Sequence, residues 1–278
     1  MLGIQKIPSG RMGNRLFHYH FLRQIAQKTG LKYFHPEYPE SPYFYQMGQK
    51  NRLFLNIRKP VEINSHDILK YSPDDFLRYV NKQNRLGRTI LFSPPMLGEV
   101  FFDYLFFDPN EFIQIKDQYK FDHPIKDINK QIIGLHFRGT DFPAWNKNAA
   151  LKFDYYKKSI NYCFDYYKEK ELVFLLFTDD VDYIPYKQTV TFLKSIKGTQ
   201  VFFGNNKKPP IYDFYQMSQC DVLVSSPSTF CIFSGIIGKR KKIIHSKSWL
   251  DYSVNRNDLF WAKLSETKNP YYHLWKVY

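Results

Sequence analysis

From residue 131 onward the chain alternates short, wholly apolar runs with longer amphipathic ones, and few folds accept that pattern. QIIGLHFRG reads as a strand, LKFDYYKKSINYCFDYYKEK as a helix, LVFLLFTDD as a strand, YKQTVTFLKSIKG as a helix and TQVFFG as a strand. IYDFYQMSQC, DVLVSS, STFCIFSGIIG and KKIIHS continue the series as helix, strand, helix and strand. An apolar run without alternation is a strand buried on both faces, and the helices between such strands provide parallel crossovers. The pattern therefore predicts a parallel, doubly wound α/β sheet covered on both sides. No Gly-x-Gly-x-x-Gly follows any of these strands, so the usual dinucleotide fingerprint is missing.

The first half opens as a βαβ unit. LGIQKIPSG is a short strand entering a Pro-Ser-Gly turn, and RMGNRLFHYHFLRQIAQKTG is a helix with Phe17, Phe21, Leu22 and Ile25 on one stripe. Gly30 is its expected stop, and LKYFHPEYP is the next strand candidate. Residues 41–122 are interrupted by Pro60, Pro73, Pro94, Pro95 and Pro109, and RTILFSPPM is the clearest strand among them. The polar segment DHPIKDINK marks a boundary. The expected division is a first Rossmann-like domain over 1–125, a second over 126–250, and a segment over 251–278 that packs back on the body.

Composition narrows the function classes. With 44% apolar, 19% aromatic and 24% charged residues, the chain is globular rather than disordered. A formal charge of +14 suits polyanionic or phosphorylated partners, although most lysines are scattered as on an ordinary solvated surface. The densest cluster, GKRKK from Gly238 to Lys242, reads as a charged loop entering a strand. Cys163, Cys220 and Cys231 are far apart, with no CxxC, so neither a disulfide framework nor a zinc site is expected. The start MLGIQKIPSG lacks a leader pattern and no run approaches a membrane span. A cytoplasmic protein is expected, with room for peripheral membrane contact.

Three polar clusters fall at predicted strand ends, where open α/β sheets bind ligands. In SGRMGNR, from Ser9, Gly10 and Gly13 permit close approach, and Asn14 and Arg15 stand where a helix begins. This is either an anion or sugar-hydroxyl site, or a plain turn with Asn14 near the N-cap. In HFRGTDF, Arg138 is able to grip a phosphate with a bidentate fork while Asp141 orients it; a purely structural Arg–Asp pair is the alternative. In SSPSTF, Ser226, Ser228, Thr229 and Phe230 open a helix whose amides suit a diphosphate, or Ser228 is simply an N-cap. Asp180 and Asp182 also form a literal Asp-x-Asp after a strand. That pattern holds a divalent cation in single-domain transferases, but it often only caps the next helix. Tyr38, Tyr43 and Tyr45 are the aromatic residues expected to stack on sugar.

Taken in order, these segments carry a resemblance. GRMGNRLFHYHFLRQIA resembles the amino-terminal G-x-G-N-x-x-F-x-Y segment of family 11 glycosyltransferases, the α-1,2-fucosyltransferases. HFRGTDF resembles the H-x-R-R-x-D/T-D motif that these enzymes share with α-1,6-fucosyltransferases. FTDD, then DFYQMSQCDVLVSSPSTFCIFSGIIG, is similar to the family's F-S-D-D, its acidic-residue, Met and Cys helix, and S-x-S-T-F-S-W-W-G. The likeness spans nearly the whole chain, leaving the middle of the first half unmatched. Gly139 replaces a second Arg, Cys231, Ile232 and Phe233 stand where the Trp-Trp pair is usual, and Arg15 stands for Gln.

The resemblance implies an α/β GT-B fold, two Rossmann-like domains facing a cleft, with acceptor mostly on the first and sugar nucleotide mostly on the second. It implies inverting, metal-independent transfer of L-fucose from GDP-fucose to a glycan hydroxyl, in α-1,2 linkage. No cofactor is expected, since the GDP-sugar is a substrate. Arg138 and the helix start at Ser228 and Thr229 are expected to neutralise the departing diphosphate. His136 and Asp179, with Ser226 and Phe230, are expected on the donor, Gly10, Gly13, Asn14 and Arg15 in a donor or acceptor loop, and Asp141 is a weak candidate for the base, which stays unassigned. The alternatives are a different nucleotide-sugar donor, or a non-catalytic binder of polyanions. No nucleic-acid motif is present, and oligomeric state is not legible.

Overall fold

The computed structural model describes residues 1–8, 10–48, 59–93, 97–120, 129–205, 207–238, 241–266 and 268–277. By internal contacts the chain forms two compact units, Met1–Lys116 and Asp117–Tyr278. The first unit reaches Lys116 because residues 114–116 pair back on its own loop: Tyr45 N–H donates to Gln114 O at 3.0 Å and Lys116 N–H to Tyr43 O at 2.9 Å. The boundary expected at 125/126 falls within 121–128, outside the described residues.

In the first unit, strands β1 (Leu2–Gly3), β2 (Tyr33–Phe34), β3 (Val61–Ile63) and β4 (Ile90–Phe92) form a parallel sheet in the order β2-β1-β4-β3. Its helices are α1 (Met12–Thr29), α2 (Ser65–Ile68), α3 (Pro73–Arg85) and α4 (Leu97–Val100). Leu2, Ile4, Phe21, Leu22, Ile25, Phe76, Val80, Ile90 and Phe92 bury together, so Phe21, Leu22 and Ile25 of the expected stripe on α1 face this core, while Phe17 packs against Phe101 and Phe102. The helix stops at Gly30, whose φ of 68° needs a residue without a Cβ. Its start agrees with the helix read from Arg11 onward, but Asn14 is not at its cap. Gly10, at φ +92°, turns the chain so that Arg11 becomes the N-cap, and Asn14 sits inside the first turn rather than at its head.

The second unit holds β5 (Lys130–Phe137), β6 (Glu171–Thr178), β7 (Gln200–Phe203), β8 (Val222–Val224), β9 (Lys241–Ser246) and β10 (Tyr272–Val277). All pair in parallel, in the order β10-β9-β8-β5-β6-β7. Helices α5 (Phe142–Trp145), α6 (Phe153–Tyr166), α7 (Ile184–Ser195), α8 (Pro210–Gln219), α9 (Thr229–Ile237), α10 (Lys247–Asn255) and α11 (Leu259–Glu266) complete it. The chain builds outward from β5 to β6 and β7 on one side, then returns to β8, β9 and β10 on the other. The order thus reverses between β5 and β8, the switch point at which doubly wound sheets leave a ligand crevice beyond their carboxyl ends. β5 is buried from Gln131 to Phe137, as its unbroken apolar run requires. Gly134 is needed there because a Cβ would come within 2.8 Å of Leu223 and 2.9 Å of Cys220. All three cysteines are buried, and none is in a disulfide.

The last segment does more than pack on the body, as β10 extends the sheet and all six of its residues pair with β9. Among the described residues no helix is long and apolar enough to cross a membrane. Residues 239–240, the centre of the GKRKK cluster, lie outside the described residues, as do Ser9, Pro94 and Pro95.

Candidate active site

The site is assembled on the carboxyl edge of the second sheet. At the end of β5, His136 Nδ1 lies 2.7 Å from the hydroxyl of Ser226, two residues beyond β8. This contact spans the switch point itself. The imidazole is buried, and burial pulls its pKa down to about 4, so it is neutral near pH 7. Tyr156 donates its hydroxyl to the His136 carbonyl, and Tyr155 donates to the carbonyls of Ser225 and Ile244. Two phenols from one turn of α6 therefore tie β5, β8 and β9 together beneath the edge.

Arg138 follows at once. Its Nε and Nη2 donate to the two carboxylate oxygens of Asp141 at 2.8 and 2.7 Å, a planar fork, and its guanidinium lies 4.7 Å from the Phe142 ring centroid. The side chain is only 14% exposed, yet Nη1 makes no hydrogen bond to any described residue. A fixed cation with one open edge results. Asp141 is thereby an orienting group, because the guanidinium occupies both its oxygens.

Asp179, at the end of β6, clamps the same loop. Its Oδ1 accepts from the backbone N–H of Gly139 and Thr140, its Oδ2 accepts the Thr140 hydroxyl at 2.7 Å, and Arg138 Nε lies 3.6 Å away. Both oxygens thus serve the loop rather than facing outward. Gly139 is packed as tightly: a Cβ there would stand 2.7 Å from Tyr183 Cβ and 3.0 Å from Asp180 Cβ. That crowding is the physical reason for a glycine where related motifs carry a second arginine. The Asp-x-Asp pair is engaged locally. Asp180 accepts the Asp182 N–H, and Asp182 pairs with Lys187 at 2.7 Å.

Beyond β8, Ser228 is the N-cap of α9, but its side chain makes no capping bond. Its buried Oγ has no hydrogen-bond partner among the described residues. The first bond of the helical ladder runs from Ile232 N–H to Ser228 O, so the amides ahead of it stand outside the ladder. Phe230 packs against Phe214 and stands 6.2 Å from the His136 ring. Arg138, Asp141, His136, Asp179, Ser226, Ser228, Thr229 and Phe230 are thus gathered along one sheet edge.

The residues expected in the amino-terminal loop belong to the first unit. Arg15 holds Glu40 through Nε, at 3.0 and 2.8 Å, and through Nη2, and it also donates to the Gly10 carbonyl. Its guanidinium therefore braces the loop. Gly13 is buried and Asn14 exposed. Of the three tyrosines expected to stack on sugar, Tyr38 is buried, which removes it from that role, while Tyr45 is exposed. Sequence reasoning also passed over Glu40, Thr140, Phe142, Tyr155 and Tyr156. Only Phe142, four residues after Arg138 and so placed to lie under it, carried a signal.

A parallel, doubly wound sheet with a fixed cation and a helix start at its switch point is the arrangement in which open α/β proteins bind their ligands. The chain belongs to glycosyl transferase family 11, whose model matches residues 107–260. It is therefore a glycosyltransferase. Among solved structures it is similar to NodZ alpha-1,6-fucosyltransferase soaked with GDP-fucose, at 14% identity over 88% of this chain and 94% of that one, with a TM-score of 0.50. It also matches fucosyltransferase NodZ from Bradyrhizobium, at 14% identity over 85% and 92% of the two chains and a TM-score of 0.48. A third match is a mutant of Arabidopsis thaliana FUT1 in complex with GDP, at 13% identity over 85% and 68%, with a TM-score of 0.49. The first of these likenesses bears out the α/β GT-B fold. No curated protein sequence matches the chain significantly.

Proposed function

We propose that the protein transfers L-fucose from GDP-fucose to a hydroxyl of a glycan, in α-1,2 linkage and with inversion. The observation that carries the reading is the open Nη1 edge of Arg138, fixed at the switch point two residues past His136, with the α9 start two residues past Ser226. Family membership supports a glycosyl donor. The similarly folded NodZ structure was soaked with GDP-fucose, which supports GDP as the carrier.

In this reaction the acceptor oxygen bonds to the anomeric carbon as the bond from that carbon to the β-phosphate oxygen breaks. The hydroxyl proton leaves for solvent or an unassigned base, and GDP departs as an anion. Its developing charge meets the Arg138 guanidinium and the amides opening α9, both set in place beforehand. Removal of one such donor commonly costs on the order of 10²–10³ in rate. Asp141 and Asp179 act as positioning residues, holding the guanidinium and the loop. Neutral His136 and Ser226 hold the edge on which the nucleotide rests. The second unit then carries the nucleotide, and the Gly10–Arg15 loop of the first serves acceptor or donor. Because Asp180 and Asp182 are taken up by a turn and by Lys187, they support charge neutralisation by protein groups without a metal.

Calorimetric titration with GDP tests the site. The unmodified chain is expected to bind GDP, and Arg138→Ala to lose at least about tenfold in affinity, the equivalent of 1.4 kcal/mol. Equal binding by both would overturn the assignment. Donor-hydrolysis assays with GDP-fucose, GDP-mannose and UDP-sugars, each with and without chelator, then identify the sugar and test independence from metal.

A further inference from the structure

We infer that Trp145 is the stacking platform for a pyranose ring of the acceptor glycan, an inference that rests on the transferase reading above. Trp145 closes the short helix after the Arg138 loop and is 62% exposed, the most exposed Trp, Tyr or Phe among the described residues. It is nevertheless held in place. Its N–H donates to the Asp141 carbonyl at 2.9 Å, and its ring touches Phe142 at 5.4 Å and Trp249 at 6.1 Å between centroids. Those contacts are tilted by 46° and 55°, so neither neighbour stacks flat on the indole.

Its position relative to the chemistry is equally specific. The Arg138 guanidinium lies on Phe142 and Phe142 lies against Trp145, so a single ring separates the cation from the indole. A sugar held on the indole would be carried by the same short loop-and-helix segment that fixes the guanidinium. Polar groups lie close by, because Trp249 packs on both Trp145 and Tyr252. Asn146 Nδ2 reaches the Tyr252 hydroxyl at 3.4 Å, Asn146 Oδ1 accepts the Asn148 N–H, and Arg256 lies over the Tyr252 ring at 5.6 Å. Amides, a phenol and a guanidinium around an exposed aromatic face match a pyranose, whose C–H face is apolar and whose edge is ringed by hydroxyls.

The test uses the full chain and three probes, lactose, cellobiose and maltose, at millimolar concentration. Tryptophan fluorescence of the unmodified chain is expected to change saturably with at least one of them, and Trp145→Ala to abolish the change. In transfer assays from GDP-fucose, Trp145→Ala is expected to raise the acceptor KM by about tenfold. GDP affinity and donor hydrolysis should stay within twofold, and Trp145→Phe should restore most of the acceptor KM. A chain whose fluorescence ignores all three sugars, or responds instead to phosphatidylcholine–phosphatidylglycerol vesicles, overturns the inference. So does Trp145→Ala that loses GDP binding, since Trp145 would then be only a prop for Arg138. Failure of the unmodified chain to bind GDP would instead strike at the transferase reading.

Discussion

Ser228 and Asp179 sit on the same edge in opposite circumstances. The Ser228 hydroxyl is buried with no hydrogen-bond partner among the described residues, an arrangement that costs stability. Ser228→Ala is accordingly expected to leave stability unchanged or raise it by up to about 1 kcal/mol, while weakening GDP binding. Thermal melts with and without GDP separate those effects; a lower melting temperature with intact GDP affinity would make the hydroxyl structural. Asp179 is fully employed by the Arg138 loop. Asp179→Ala should cost about 1–3 kcal/mol and reduce GDP affinity with no contact to the nucleotide, as unfolding and titration of one sample would show. Neither circumstance is legible in the letters FTDD or SSPSTF. The sequence marks Arg138, Asp141 and the serines as a site because they end apolar strands, but it is silent on which oxygen meets which proton. Gly139 is the plainest case, since its reason is a Tyr183 packed 2.7 Å from where a Cβ would be.

Elements buried on both faces announce themselves, whereas those at the margin do so unevenly: the edge strand β7 was legible in TQVFFG and the opposite edge was not. β5, β6, β8 and β9 were legible because a central parallel strand has no polar face to interrupt its apolar run. β10 was not, because in this edge strand only Tyr272 is buried, so no apolar run or clean alternation marks it, and it follows a helix-like aromatic stretch. In the first unit α3 was hidden by its proline, read as a breaker although Pro73 occupies the first turn, where its missing N–H costs nothing. The available signal was Ser-Pro-Asp-Asp: Ser72 Oγ accepts the Asp75 N–H at 3.2 Å and donates to the Asp75 carboxylate. Ser72→Ala is therefore expected to destabilise the chain by about 1 kcal/mol, measurable as a shift in urea midpoint.

Three of the buried histidines, His20, His136 and His245, couple the whole molecule to pH. Burial depresses their pKa values to about 3, 4 and 4, whereas in the unfolded chain each titrates near its ordinary value of 6.5. Between pH 6.5 and about 4 the unfolded chain binds protons that the folded one refuses. Their contribution is thus complete above 6.5 and lost as pH falls, by about 1.4 kcal/mol per pH unit for each histidine. Asp213 and Asp258, whose carboxyl pKa values burial raises, pull the other way. Calorimetric melts at pH 7.5 and 5.0 should show a lower melting temperature at the acid end, and equal values would show that these imidazoles are not sealed from water. The Asp179 clamp carries a last consequence at this scale. A loop already locked by one carboxylate has little freedom left to surrender when nucleotide arrives, so GDP should associate with a small entropic penalty and leave this edge as it found it.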